Sequence, residues 1–230
     1  MSERTASRTA VLVCQGRAAA SGRAAQGRFA DPMAEQLLRA EERIPVGQVR
    51  AGTPPVGWRE RAVYESVRAC AEVVVARTLA IDEALRARVG NQLVILGAGL
   101  DTRAWRMSEL AGTDVWEVDH PASQRDKRTR LPAGSAALAR SVRFTPVDFA
   151  VDDLGAALDA AGHDPCAPTT WLWEGVVPYL TRDEVRATTA AVATRTVPGS
   201  ALVVQLPGPV GEGGRGPGPG TRPGQFHHIR

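Results

Sequence analysis

Apolar and polar positions change rhythm near residue 90. Over residues 59–89, Val63, Val67, Cys70, Ala71 and Val74 recur at the three- and four-residue spacing of one helical face. The segment 78–82, in which Ile81-Asp82 is followed by "EALRARV", predicts an interruption and a fresh helix start. Beyond it the apolar runs are short and continuous: residues 93–96, then "DVWEVD", "VRFTPVDF", "TTWLWEGV" and "SALVVQL". Helical patterns separate them at 102–110, 121–130, "LGAALDAAG" and 183–196. Short runs that do not simply alternate, divided by helices, predict parallel strands covered on both faces by crossover helices. The fold class is therefore α/β: a doubly wound, mostly parallel, Rossmann-like sheet.

On either side of the sheet region the pattern is different. Asp31 suits the cap of a helix starting at Pro32, whose missing amide costs nothing in a first turn. "VGQVRAGTPPVGW", with its prolines and glycines, predicts a loop. Residues 207–224 are glycine or proline at 13 of 18 positions, can bury almost nothing, and predict disorder. Three parts follow: a helical cap segment (1–90), an α/β ligand-binding domain (91–206) and a Gly/Pro-rich tail (207–230).

Composition removes several classes of function. With 43% hydrophobic and 23% charged residues the chain reads as an ordinary globular protein. No apolar run is long enough to span a membrane, and residues 10–14 are too short for a signal-peptide core, so a cytoplasmic location is expected. The net charge of +3 comes from scattered arginines, and aromatics are only 5%, which argues against a nucleic-acid surface. Cys14, Cys70 and Cys166 are odd in number and far apart, so no metal or redox pair is expected, only buried thiols.

The candidate chemistry begins where the first strand stops. In "VILGAGLDTRAW" Gly97 and Gly99 follow the apolar run at once, and a ligand can approach a backbone that carries no side chain. The match to GxGxxG is incomplete, since Thr102 stands in place of the third glycine. Twenty residues after Gly99 the next strand ends in Glu117 and Asp119, on one face by alternation, where a carboxylate can accept from a ribose diol. Asp148 and Phe149 follow the third strand, an acceptor for an exocyclic amine beside an apolar purine neighbour. Together the spacing suits adenosine, in a dinucleotide or in S-adenosylmethionine alike.

The order of "RFADPMAEQL", "ARTLAID", "VILGAGLDTRAWR", "WEVDHPASQRDK", "VRFTPVDF" and "TTWLWEGVVPYL" resembles the leucine carboxyl methyltransferase superfamily over residues 27–206, in particular its bacterial branch. The resemblance implies a class I methyltransferase fold and S-adenosyl-L-methionine as cofactor. It implies that Asp119 takes the ribose hydroxyls, that Gly97 lines the methionine portion, and that Asp148 and Phe149 hold the adenine. Glu174 would lie near the cofactor's amino group, and Arg77 would reach its carboxylate in a bidentate pair. Tyr179 is the candidate for substrate contact, while Trp171 and Trp173 are expected to pack.

The implied reaction is methylation of a small-molecule carboxylate or hydroxyl. A carboxylate is already ionised and needs no base, which suits a chain with no convincing catalytic histidine. Two other functions fit parts of the pattern. A nicotinamide-dependent dehydrogenase would share the glycine turn and the strand-end acid. A cofactor-binding remnant without turnover would explain the tail, because relatives continue past the fifth strand with a substrate-covering segment and two further strands. The sequence thus predicts a sheet lacking its last strands, with one edge unpaired.

Overall fold

The computed structural model of the protein describes residues 7–205 and 227–229. Four helices precede the sheet: α1 (Arg8–Ala20), α2 (Pro32–Gln36), α3 (Ala40–Ala51) and α4 (Trp58–Arg86). Asp31 caps α2 as expected, accepting the N–H of Ala34. Then come β1 (Gln92–Leu96), α5 (Arg103–Arg106), β2 (Asp114–Asp119), α6 (Pro121–Arg130), β3 (Ser141–Pro146), α7 (Leu154–Ala160), β4 (Thr169–Glu174), α8 (Arg182–Thr194), β5 (Ala201–Gln205) and β6 (His227–Ile229).

Strands lie in the order β3-β2-β1-β4-β5-β6, with β1 to β5 parallel. The chain winds outward from β1 through β2 to β3, then returns to the other side of β1 for β4. The reversal places a crevice between the carboxyl ends of β1 and β4. Alternation along β1 explains its continuous apolar run. Leu93 and Ile95 join a core cluster with α1 to α5, while Val94 and Leu96 join a second one under α7 and α8. Trp171 and Trp173 are packed in that second cluster, as the sequence predicts.

Four expectations change. The interruption at 78–82 does not occur, and α4 is one helix of 29 residues. Thr78 and Asp82 lie on its buried face, and Asp82 meets Arg103 and Arg106 there, so the acid marks an internal ion-pair site, not a fresh helix start. Of the predicted loop beginning at Val46, residues 46–51 are the second half of α3, and the loop is confined to 52–57. Val46 is buried, and the helix runs on to Gly52, which ends it at φ +66°. Residues 102–110 form the single turn α5 and a separate 3-10 turn at Ser108–Leu110. Of the three thiols, Cys14 is buried and Cys166 is exposed.

At the end of the sheet, Leu202, Val203 and Val204 pair antiparallel with Ile229, His228 and His227. The outer edge of β5 therefore has ladder partners there; an open edge offers unpaired N–H and C=O groups that an extended segment can complete. Residues 207–226 of the expected disordered tail lie outside the described residues. Among the described residues, no helix is long and apolar enough to cross a membrane.

Candidate functional site

The turn leaving β1 is held by β2. Gly97 and Ala98 both donate their N–H to Val118 O, at 2.7 and 3.1 Å. Gly97 has φ +67° and Gly99 φ +49°, a region that side chains disfavour. Space demands glycine as well. A Cβ on Gly97 would stand 2.1 Å from Val176 Cγ2, and one on Gly99 would stand 3.3 Å from Ala10 Cβ. The bare backbone is thus approached by the loop after β4 on one side and by the first turn of α1 on the other.

Asp119 is fixed by that turn. Its Oδ2 accepts the Gly99 N–H at 2.5 Å and its Oδ1 accepts the His120 N–H at 2.7 Å. Burial raises its carboxyl pKa, against the pull of those two backbone donors. Each oxygen keeps a second acceptor direction, so the carboxylate can still receive the two hydroxyls of a diol. Glu117, two residues earlier, takes another role. It is buried, with Oε2 only 2.5 Å from Lys127 Nζ. Burial pushes its pKa up to about 7 even though Lys127 opposes the shift. Of the two strand-end acids, Asp119 belongs to the glycine turn and Glu117 belongs to the interior.

Across the turn, Glu174 ends β4 between two guanidiniums. Arg77 Nε of α4 lies 2.9 Å from Oε1 and Arg103 Nη1 of α5 lies 3.0 Å from Oε2. Arg103 also pairs with Asp82 and Asp101, all three buried. Burial would raise the Asp101 pKa, but Arg103, Lys127 and Arg17 hold it down at about 2. Further out, Arg106 meets Asp82 at 2.7 Å, and Asp31 accepts from Arg17 and from Thr102 Oγ1. Arg17 also donates to Leu100 O at 2.6 Å, which ties α1 to the same turn.

The donor set fits the charged end of a methionine. Arg77 Nε is buried, and despite its closeness to Glu174 its N–H is not aligned in a hydrogen bond. A guanidinium with an unmatched donor next to a carboxylate can serve a zwitterion, cation to carboxylate and Glu174 to ammonium. Asp101 and Arg103 were passed over in the sequence, although "GLDTRAWR" places an acid and an arginine directly behind the glycine turn.

The remaining candidates sit at the rim. Asp148 follows β3, where its Oδ1 accepts the Ala150 N–H and its Oδ2 lies 3.5 Å from His120 Nε2. Phe149 packs against the cluster under α7 and α8 and lines a groove of about 590 Å³ with Leu154, Thr188 and Arg195. Tyr179 is exposed, and its hydroxyl donates to Thr9 Oγ1 at 3.1 Å across the mouth of the crevice. The structure therefore gathers Gly97, Gly99 and Asp119 into one unit and Arg77 with Glu174 into a second. Asp148 is linked to the first through His120, while Phe149 faces away toward α8.

Residues 10–193 match the leucine carboxyl methyltransferase family. Three bacterial proteins bearing the name "Putative S-adenosyl-L-methionine-dependent methyltransferase" are similar to this chain. The Streptomyces coelicolor protein is 35% identical over 201 residues, covering 86% of this chain and 68% of its own. The Mycobacterium avium protein is 34% identical over 202 residues, covering 86% and 66%. The Frankia alni protein is 36% identical over 202 residues, covering 86% and 68%. The chain thus spans about two thirds of the length of these relatives. A solved structure titled as a "putative methyltransferase" from Thermobifida fusca YX aligns with 86% of this chain and 67% of its own, at 19% identity and a TM-score of 0.49.

Proposed function

The chain belongs to the leucine carboxyl methyltransferase family of S-adenosyl-L-methionine-dependent methyltransferases, and from that premise we propose that the crevice over β1, β2 and β4 holds the cofactor for methyl transfer to a small-molecule oxygen, a carboxylate before a hydroxyl. One observation carries the reading: a single turn presents the Asp119 carboxylate at Gly99 and faces Glu174, Arg77 and Arg103 across the sheet reversal. Asp119 takes the ribose diol. Arg77 takes the cofactor carboxylate and Glu174 its ammonium. Gly97 and Gly99 leave the backbone bare for the chain between them, and Asp148 serves the adenine, while Phe149 packs toward α8.

When bound, S-adenosyl-L-methionine supplies a methyl group already activated on a sulfonium. What the protein adds is alignment and exclusion of water. The first turn of α1 is tied to the segment after β4 through the hydrogen bond from Tyr179 to Thr9. An acceptor carboxylate arrives ionised, so no proton has to be moved and no base is required. Tyr179, exposed at the mouth of the crevice, is placed to touch the acceptor.

Two measurements test the reading. Calorimetric titration with S-adenosylhomocysteine is expected to show one site, and no binding would remove the cofactor assignment. Incubation with methyl-labelled cofactor and a bacterial extract is expected to yield label that mild alkali releases as methanol, the behaviour of a methyl ester. Label that survives alkali would transfer the assignment to a hydroxyl acceptor.

A further inference from the structure

We propose that Lys127 is a positioning residue for cofactor binding: it clamps the glycine turn to β2 through Glu117, and Glu117 gives up its proton to solvent when the crevice fills. The inference rests on the reading that Asp119 takes the ribose diol. Lys127 is the single lysine in a chain whose Lys and Arg total 28, and it is only 1% exposed. Its ammonium is met from three sides. Nζ donates to Asp101 O, at the exit of the turn, at 2.7 Å and to Glu117 Oε2 on β2 at 2.5 Å. The ring centroid of Trp105, from α5, lies 5.0 Å away. A compact point charge with three donors suits such a site better than a planar guanidinium. Chemistry thus explains a lysine where the rest of the chain uses arginine.

The clamp is built into the strand that carries the ribose acid. Glu117 stands two residues before Asp119, and Asp101 two residues after Gly99, whose N–H Asp119 accepts. Lys127 therefore closes a ring of contacts around the Gly99–Asp119 hydrogen bond. Glu117 Oε1 is buried with no hydrogen-bond partner among the described residues, so its ionised form depends on Lys127. Burial, with Asp101 and Asp119 behind it, pushes the Glu117 carboxyl up to about 7 against the pull of Lys127. Other charges nearby are engaged elsewhere. Arg103 and Arg17 act on Asp101, Arg128 lies over the Phe144 ring of β3, and Asp126 and Arg130 pair with α3. His120 gives its N–H to Asp119. Two ribose hydroxyls donating to Asp119 draw its charge toward the ligand and weaken its repulsion of Glu117. Glu117 then ionises, and the ionised acid holds Lys127, and with it the turn, more firmly.

The test is calorimetric titration of the full chain with S-adenosylhomocysteine in buffers of different ionisation enthalpy, which counts the protons released. At pH 7 the wild type is expected to release about a quarter of a proton, and to bind about two- to threefold more tightly at pH 8 than at pH 6. E117Q is isosteric and permanently neutral. It should release no proton at pH 7 and bind equally across that range. K127M should bind about tenfold more weakly, the scale of a hydrogen bond to a charged group. Because the clamp acts through the turn, D119A/K127M should bind no more weakly than D119A alone. A wild type that releases no proton, or an E117Q protein that still releases the wild-type amount, would overturn the role of Glu117. Losses that multiply independently in D119A/K127M would overturn the role of Lys127. A D119A protein that binds like the wild type would remove the ribose reading itself. E117Q keeps the test decisive even where K127M does not fold.

Discussion

Asp119 Oδ2 accepts the backbone N–H of Gly99 at 2.5 Å, so the acid at the end of β2 and the glycine turn after β1 form one hydrogen-bonded unit. The D119A variant loses that brace and the charged acceptor for the ribose. Binding of S-adenosylhomocysteine should weaken by about 1–3 kcal/mol in calorimetric titration. An unchanged dissociation constant would end the ribose assignment.

Gly97 is fixed by conformation and by space. The G97A variant must hold alanine at φ +67° and push a methyl group against Val176 Cγ2. A loss of about 2–4 kcal/mol in urea unfolding is expected, combining backbone strain with overpacking. The double variant G97A/V176A clears the contact but leaves the strain, so it should be more stable than G97A alone. If both variants unfold alike, the contact with Val176 contributes nothing.

Arg103 reaches Asp82, Asp101 and Glu174 from inside the protein. Its removal in R103M takes the ion-pair partner from buried Asp101 and leaves Asp82 to Arg106 and Glu174 to Arg77, and breaking a buried pair in this way typically costs about 3–5 kcal/mol. Stability of R103M within about 1 kcal/mol of the wild type would show that water or neighbouring arginines take over the pairing.

Two buried groups make stability depend on pH with opposite sign. Burial raises Glu117 from an ordinary 4.5 to about 7 in the folded state, so folding takes up a proton between these values. Its contribution is complete below pH 4.5 and is lost as pH rises through about 7. His163 behaves in reverse. It is packed between Trp116 and Trp171, and burial lowers it from 6.5 to about 4. Its contribution is present above pH 6.5 and is lost as pH falls through about 4, a span of about 3 kcal/mol. Urea unfolding from pH 4.5 to 6.5 should therefore rise more steeply with pH in E117Q than in the wild type, and less steeply in H163F. Equal slopes in all three proteins would contradict both shifts.

The sheet and its crevice were legible in the sequence because they rest on local signals. Continuous apolar runs such as residues 93–96 give buried parallel strands, and the spacing from Gly99 to Asp119 is one strand–helix–strand unit. Charges buried among other charges were not legible. Asp82 read as the start of a fresh helix because an acid ahead of a helical run usually sits at a cap, yet it lies inside, matched by arginines 21 and 24 residues along the chain. The same blindness separated Arg103 from Glu174. Sequence places Glu117 and Asp119 on one face, but the lysine that claims Glu117 comes from the next helix and becomes visible only in three dimensions.

The ion pairs joining the early helices to the sheet have a practical consequence for dividing the gene. A fragment beginning at residue 91 would contain Arg103, Arg106 and Glu174 but not Asp31, Asp82 or Arg77. Arg106 would lose both of its carboxylate partners, and the sheet face of Leu93, Ile95 and Leu172 that packs against the early helices would be laid open to water, so such a fragment should emerge insoluble from expression. Cutting between helical cap and sheet severs the crevice itself, so the first ninety residues are as much a wall of the binding cleft as its strands are.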